Sequence, residues 1–273
     1  MTSPMELPAR KSHAMILRMI EDLVFDVGMN HGEDTAHYLA RDFHVVAIEA
    51  NPVLVAENRE RFHDAIEAGQ LVIEPVGIHD HDGTATFWIS DTNDDFSSFD
   101  ESMGSRGKSC HSVEVECTTF SHLLERHGVP YYLKIDIERA DRNCIESLPV
   151  SDLPAYVSIE AHEFDYLLIL WKLGYRQFKV VDQMRHNSTL PLFSNENWLS
   201  RSLKTACWYA DRVKNKYRKV KHSPGASGPF GEETAGPWLP VEEVAYNWSH
   251  FYRGHSHRGN LQKRSWYDFH AKL

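Results

Sequence analysis

Short apolar runs alternate with segments of helical periodicity along the first 182 residues of the chain. Leu23–Val27 and Val45–Ile48 are two such runs. The residues between them, from about 32 to 41, have the spacing of an amphipathic helix. Strands that alternate with helices in this way predict parallel βαβ units, which build a doubly wound sheet with helices on both faces.

The same pattern predicts the remaining strands and helices, and it ends after Asp182. Strands are expected at 23–28, 45–50, 71–78, 84–90, 112–117 (at a sheet edge), 131–137, 156–161, 178–181 and 265–270. Helices are expected at 12–20, 32–41, 52–68, 119–127, 141–147 and 164–172, and the Asp-, Ser- and Gly-rich residues 91–109 should form a loop. The pattern stops after Asp182. We therefore expect one domain over 1–273, with 183–263 inserted as a lid before the last strand.

A glycine-containing loop, Gly28–Gly32, joins the first strand to the first helix. A dinucleotide pyrophosphate needs three glycines in this loop so that the backbone can approach it closely. Here Asn30 occupies the middle position, and the acidic Glu33 and Asp34 follow where phosphates would lie. The loop therefore favours a nucleoside cofactor without phosphates, namely S-adenosylmethionine, over a nicotinamide dinucleotide.

Composition narrows the class of protein. A net charge of −10 argues against wholesale binding to nucleic acid, and no apolar run approaches the roughly 20 residues of a membrane span. The four cysteines form no Cys-x-x-Cys pair, which is typical of reduced thiols and predicts a cytoplasmic protein.

One segment, 198–222, departs from the acidic composition, because it carries eight Lys and Arg residues against a single acid. A solvated helix that balances the acidic body would explain it. A basic lid over an anionic substrate, or a contact with a membrane surface or RNA, would also fit.

Several motifs together resemble the FkbM family of S-adenosylmethionine-dependent methyltransferases. They are FDVGMNHG at 25–32, VVAIEANP at 45–52, LKIDIERADRNCIESL at 133–148, YVSIEAHEFD at 156–165 and WYDFHA at 266–271. The resemblance implies the Rossmann-like class I methyltransferase fold, a seven-stranded, mostly parallel sheet whose last strand is antiparallel. One position departs from the family pattern: Arg139 stands where glycine usually follows the glutamate.

S-Adenosylmethionine is expected along the carboxyl edge of the sheet. The carboxylate of Glu49 offers two acceptor oxygens to the two ribose hydroxyls, and Asp26 or Asp136 would bind the amino group. The adenine should lie near Gly77. The expected cofactor contacts are Asp26, Gly28, Asn30, Gly32, Thr35, Glu49, Ala50, Asn51, Gly77, Ile78, Ser98 and Asp136.

Three residues near the ends of two adjacent strands, Asp136, Glu160 and His162, are candidates for chemistry. In one interpretation His162 is a general base, Asp136 assists catalysis and no metal is present. In another, the three side chains bind Mg²⁺, Mn²⁺ or Fe²⁺. In the third, Glu160 and His162 are structural or contact only the cofactor.

The sequence as a whole predicts a methyltransferase that methylates a hydroxyl on a sugar or natural-product-like small molecule. The alternatives are N-methylation and a non-catalytic protein that binds cofactor or partner. The basic segment favours an anionic acceptor. No nucleic acid or membrane span is expected, and a homo-oligomer is compatible with the sequence.

Overall fold

The computed structural model describes residues 18–106, 108–183, 187–188, 226–256 and 266–273, with eight helical positions between 202 and 213. The predicted helix at 12–20 lies mostly outside these residues. Met19 and Ile20 are described and lie in a strand, so the helix prediction is wrong for them. Most of the basic segment 198–222 also lies outside the described residues. Among the described residues, no helix combines the length and apolar character needed to cross a membrane.

In the part of the chain that the structure describes, the large sheet has eight strands, β1 to β3 and β7 to β11 in chain order. They are β1 Met19–Val27, β2 His44–Ile48, β3 Leu71–Glu74, β7 Val129–Ile135, β8 Tyr156–Glu160, β9 Gln177–Asp182, β10 Asn187–Ser188 and β11 Tyr267–Lys272. Their spatial order is β10-β9-β11-β8-β7-β1-β2-β3. β11 runs antiparallel between β8 and β9, and β10 adds a two-residue antiparallel edge. The seven-stranded class I arrangement is therefore confirmed, with β10 as a small extension.

A second sheet of three strands lies between β3 and β7 in the chain. It consists of β4 Gly77–Ile78, β5 Gly83–Ser90 and β6 Cys110–Thr118, in the order β4-β6-β5. The expectation that 112–117 forms an edge strand holds for residues 112–116, which pair with β5 alone, and fails at Cys117, which also pairs with β4. The predicted strand 71–78 is divided between the two sheets. Pro75 lies at the division and has no N–H to donate to a ladder.

The α-helices whose bounds the described residues define are α1 Glu33–Leu39, α2 Pro52–Arg61, α3 His63–Glu67, α4 Glu101–Ser105, α5 Phe120–His127, α6 Asp141–Glu146, α7 Asp165–Leu173 and α8 Val241–Ser256. The predicted helix 52–68 is interrupted at Phe62, and α4 lies within the predicted loop 91–109.

Alternating side chains of the strands build two cores, one on each face of the large sheet. Phe25 and the other strand side chains on its face of the sheet pack against α5, α6, α7 and α8. Tyr132 and the other strand side chains on the opposite face pack against α1, α2 and residues 226–239 of the predicted insertion. There Phe230 stacks on Tyr132, with 3.8 Å between the ring centroids. The described part of 183–263 thus packs on both faces of the sheet. The lid role remains a prediction for the residues outside the described part.

Candidate functional site

The loop after β1 passes directly against the exit of β7. Gly28 has a φ of 85°, and a Cβ at this position would lie 1.9 Å from the carbonyl oxygen of Asp136. The N–H groups of Gly28 and Met29 both donate to the carbonyl oxygen of Ile48 at 3.0 Å. Only glycine fits here, because the turn needs a left-handed conformation and two backbones meet.

Asn30 ties the loop to its surroundings. Its backbone has a φ of 49°, its N–H donates to Glu49 Oε2 at 2.8 Å, and its carbonyl oxygen accepts from Asn58 Nδ2 at 2.6 Å. Its Nδ2 donates to Asp95 Oδ1 at 2.6 Å. Its Oδ1 is buried and has no hydrogen-bond partner among the described residues. Gly32, with a φ of 79°, is the N-cap residue of α1. The loop therefore presents an unused acceptor at the edge of the sheet.

Glu49 follows β2, and its side chain is almost completely buried. Its Oε1 accepts from the N–H of Asn51 and its Oε2 from the N–H of Asn30, both at 2.8 Å. Burial raises the pKa of this carboxyl, although the two N–H groups oppose the change. An ionised carboxylate has about four lone-pair positions, so each oxygen keeps one for a further donor. Asn51 caps α2 through its side chain, and Ala50 packs against the core of the small sheet.

Beneath the loop lies a buried ionic cluster. Asp26 is fully buried; its Oδ2 accepts from Thr35 Oγ1 at 2.6 Å, and its Oδ1 lies 3.2 Å from Lys134 Nζ. Lys134 also donates to the carbonyl oxygen of Gly28 at 2.8 Å. Burial lowers the pKa of Lys134, but the carboxylates of Asp26, Asp136 and Asp34 outweigh it and raise that pKa. The expectation that Asp26 and Thr35 contact the cofactor directly is not supported by these positions, because both side chains support the loop from below.

Gly77 and Ile78, the residues expected near adenine, are both buried in β4. A Cβ on Gly77 would lie 2.3 Å from the ring of Phe99. The buried hydroxyl of Ser98 donates to the carbonyl oxygen of Glu138 at 3.2 Å. The segment after β5 thus reaches from the predicted adenine position to the exit of β7.

A group of two carboxylates and an imidazole lies beyond the exits of β7 and β8. Glu138, Glu160 and His162 each offer a ligand atom, and these atoms lie within 4.8 Å of one another. His162 Nε2 is 3.0 Å from Glu160 Oε2 and 3.7 Å from Glu138 Oε2, while Glu138 Oε1 accepts from Arg106 Nη2 at 3.0 Å. Glu160 and His162 meet as predicted. The expectation that Asp136 completes the group is corrected, since Glu138 is the third member.

These side chains change one another's proton affinities. The hydrogen bond to Glu160 raises the pKa of His162 to about 9, so the imidazole is mostly protonated at neutral pH. Burial and the Glu160 carboxylate raise the pKa of Glu138, against the effect of Arg106. Desolvation and neighbouring carboxylates raise the pKa of Asp136, but its side chain is 46% exposed, so solvent screening limits that shift. A protonated His162 is a poor general base in this state.

Two residues of this region are not among those predicted from the sequence. Glu138 is one, although it lies two residues after Asp136 in the same polar run. Glu138 and Arg139 have φ values of 43° and 76°, and Arg139 Nη1 lies 2.9 Å from Asp100 Oδ2. Arg139 therefore adopts a left-handed backbone conformation, which favours glycine, and adds an ion pair to the segment after β5. Asp268, buried opposite Glu160, is the other; burial and Asp136 raise its pKa.

Comparison with known proteins places this geometry in a family. Residues 26–180 match the methyltransferase FkbM domain. A solved methyltransferase FkbM from Methylobacillus flagellatus KT is similar at 16% identity and a TM-score of 0.38, over 59% of this chain and 39% of that chain. An rRNA methylase from Streptococcus thermophilus is similar at 15% identity and a TM-score of 0.34, over 67% and 84%. A precorrin-6y C5,15-methyltransferase from Geobacter metallireducens GS-15 is similar at 12% identity and a TM-score of 0.29, over 62% and 71%.

No curated protein matches the chain. The alignment spans about 39% of the length of the Methylobacillus flagellatus protein, so that protein's substrate does not transfer to this chain. The family model, by contrast, covers more than half of the chain and includes the glycine loop, Glu49 and the exits of β7 and β8. The chain belongs to the FkbM methyltransferase family.

Proposed function

We propose that the protein transfers a methyl group from S-adenosylmethionine to a hydroxyl of a small molecule. The observation that carries the proposal is Glu49, whose two oxygens each accept one backbone N–H and keep one free acceptor position beside the glycine loop. These positions match the two hydroxyls of a ribose. The buried Oδ1 of Asn30, which has no hydrogen-bond partner among the described residues, offers a further acceptor to a donor group of the cofactor.

Asp136 is the carboxylate that we assign to the cofactor's amino group. It directly follows β7, its side chain is 46% exposed, and its backbone contacts Gly28. Asp26 stabilises the loop instead, through Thr35 and Lys134. The cofactor supplies an electrophilic methyl group on a sulfonium, and the protein's task is to hold an acceptor oxygen in line with it.

Methylation of a hydroxyl favours a site that can handle a proton, because an alcohol oxygen is a weak nucleophile until its proton leaves. Glu138, Glu160 and His162 provide polar groups of this kind next to Asp136. An amine with a free lone pair has no such need, which places N-methylation second. The excess of carboxylates disfavours an anionic group close to the methyl. The anionic acceptor predicted from 198–222 therefore depends on residues mostly outside the described part, and the cytoplasmic location stays a prediction from composition.

The test is transfer of a labelled methyl group. The purified chain is incubated with S-adenosylmethionine labelled in its methyl group and a fractionated metabolite extract, and labelled products are analysed by mass spectrometry. We expect a product that carries the label on oxygen. Label on nitrogen would favour the N-methyltransferase alternative. Failure to bind the cofactor at all would contradict the proposal.

A further inference from the structure

We propose that Glu138, Glu160 and His162 form a divalent-cation site at the exits of β7 and β8, suited to Mn²⁺. This inference rests on the proposed function for its role, but the site itself can be tested without turnover. Two carboxylate oxygens and one imidazole nitrogen lie within 4.8 Å of one another, so a single ion can contact all three. Oxygen ligands with one imidazole suit Mn²⁺, and Mg²⁺ less well.

A second observation supports a ligand at this position. The side chain of Glu138 is 11% exposed, and its Oε2 is buried with no hydrogen-bond donor among the described residues. A buried carboxylate oxygen without a donor is costly, and native structures rarely leave one. His162 Nε2 lies 3.7 Å from this atom, which is an ion pair but too long for a hydrogen bond. A divalent cation that displaces the His162 proton would contact both atoms directly.

The two oxygens of Glu138 are used differently. Oε1 accepts from Arg106 Nη2 at 3.0 Å, which fixes the orientation of the carboxylate. Oε2 is left for the ion. Groups that hold a ligand in place commonly change metal affinity 10- to 100-fold when they are removed. Arg106 is therefore a positioning residue for the site, and not a ligand.

The carboxylates around the proposed site also favour a bound cation. Two further carboxylates, those of Asp136 and Asp141, lie close enough to interact electrostatically with members of the group. A divalent cation would relieve the repulsion among these carboxylates. An acceptor hydroxyl that contacts the cation would have a lowered pKa and lose its proton to solvent water. The acceptor oxygen then forms its bond to the methyl carbon while the carbon–sulfur bond breaks, and the electron pair stays on sulfur.

The chain offers a matched control in His79, Asp80 and His81, another group of metal-ligand side chains. This group lies on a turn, and the side chains of Asp80 and His81 are 75% and 64% exposed. Asp80 Oδ1 already contacts His79 Nδ1 at 2.6 Å and His81 Nδ1 at 2.5 Å. It has no buried, unpartnered atom among the described residues, and we assign no ion to it.

The experiment is a titration of Mn²⁺ into the full chain, treated with chelator and free of cofactor, followed by electron paramagnetic resonance. We expect one site, weakened roughly tenfold or more by Glu138→Gln and by His162→Ala. His81→Ala should leave the affinity unchanged. Circular dichroism checks that each variant folds.

Mn²⁺ binding that is absent, that survives both site variants, or that is lost in His81→Ala would overturn the proposed site. Binding of S-adenosylmethionine is measured on the same samples. If the cofactor binds and Mn²⁺ does not, the metal site fails and the methyltransferase proposal stands. If neither cofactor binding nor methyl transfer is found, the proposed function fails whatever the result with Mn²⁺.

Discussion

The carboxyl edge of the large sheet has two halves that differ in how their polar groups are paired. The cofactor half consists of Gly28–Gly32 and Glu49, and hydrogen bonds of 2.6 to 3.0 Å join its backbone groups to neighbouring backbone and to the side chains of Glu49 and Asn58. The acceptor half consists of Glu138, Glu160 and His162, where two carboxylates share one imidazole at 3.0 and 3.7 Å. Each half keeps one buried side-chain oxygen without a hydrogen-bond partner among the described residues, Asn30 Oδ1 and Glu138 Oε2, but only the acceptor half adds an excess of carboxylates whose repulsion a ligand would relieve. Such strain is expected where a protein gives up stability for function.

The largest expected effect comes from Gly28→Ala. The added Cβ would meet the carbonyl oxygen of Asp136 at 1.9 Å, and neither backbone can move without breaking the loop or the end of β7. We expect a loss of about 4 kcal/mol or more in the free energy of unfolding, measured with urea. Gly69→Ala is the matched control. It has a φ of 72° but nothing within 4 Å, so it should cost only about 1 kcal/mol. Equal losses in the two variants would contradict this picture of the loop.

The next effect comes from Lys134→Met, which removes the buried cation below the loop. Asp26 would keep its Thr35 hydrogen bond but lose the charge that lies 3.2 Å away. Leaving a buried charge without its partner typically costs about 3–5 kcal/mol, and cofactor binding should weaken as the loop loosens. The exposed Lys172→Met serves as a control for the change in net charge and should shift stability by less than about 0.5 kcal/mol. A stability for Lys134→Met as high as that of the control would show that the ionic cluster does not support the loop.

The smallest expected effect comes from replacing Glu138, and Glu74 provides the comparison with a well-paired carboxylate. Glu138 and Glu74 have side chains that are each 11% exposed. Burial raises the pKa of Glu74, but hydrogen bonds from His127 and Arg126 outweigh it and leave that pKa lowered, so its charge stabilises the fold at neutral pH. The pKa of Glu138 is raised, so its charge destabilises the fold there.

Without metal at pH 7, Glu74→Gln should therefore lose about 1–3 kcal/mol of unfolding free energy. Glu138→Gln should change it by less than about 1 kcal/mol, in either direction. The sign follows from linkage. Stability from Glu74 is present above its unfolded pKa and is lost as the pH falls through the lowered folded pKa. A larger loss in Glu138→Gln than in Glu74→Gln would show that the acceptor half is as well paired as its neighbour.

Most of the large sheet could be predicted from the sequence, because its buried strands form short apolar runs and two of the flanking helices, α2 and α5, begin after side-chain caps. The cap at Asn51 is an example, since Pro52 follows it and its side chain accepts from Val53 N–H at 3.0 Å. The small sheet was harder. The alternation in 112–117 indicates a half-buried strand, but it does not say which strands lie beside it. The strands beside β6 are β4 and β5, which both precede it in the chain.

The positions of candidate site residues could be predicted where the residue type itself fits a particular place in the fold, such as a glycine in a tight turn or an acid at the end of a strand. The pattern of strands and helices predicts Gly28 after the first strand and Glu49 after the second, and both lie at the carboxyl edge, while their contacts with the cofactor stay predictions. The direction in which a side chain points was harder to predict from the sequence. Asp26 is in the expected motif, but the alternation of β1 turns it into the core towards Lys134. Glu138 reaches the cluster because its backbone is left-handed, with a φ of 43°, and residue type alone gives little warning of that in a glutamate.

The most direct test of the central claim is calorimetric titration of S-adenosylmethionine into the purified chain and into two variants. We expect binding by the wild type, binding weakened at least roughly tenfold in Glu49→Ala, and unchanged binding in Glu57→Ala, whose side chain is 61% exposed on α2. Glu49→Gln, which keeps one carbonyl acceptor, should lie between wild type and Glu49→Ala. An affinity for the cofactor that is unchanged in folded Glu49→Ala, or binding of NAD in place of S-adenosylmethionine, would contradict the account.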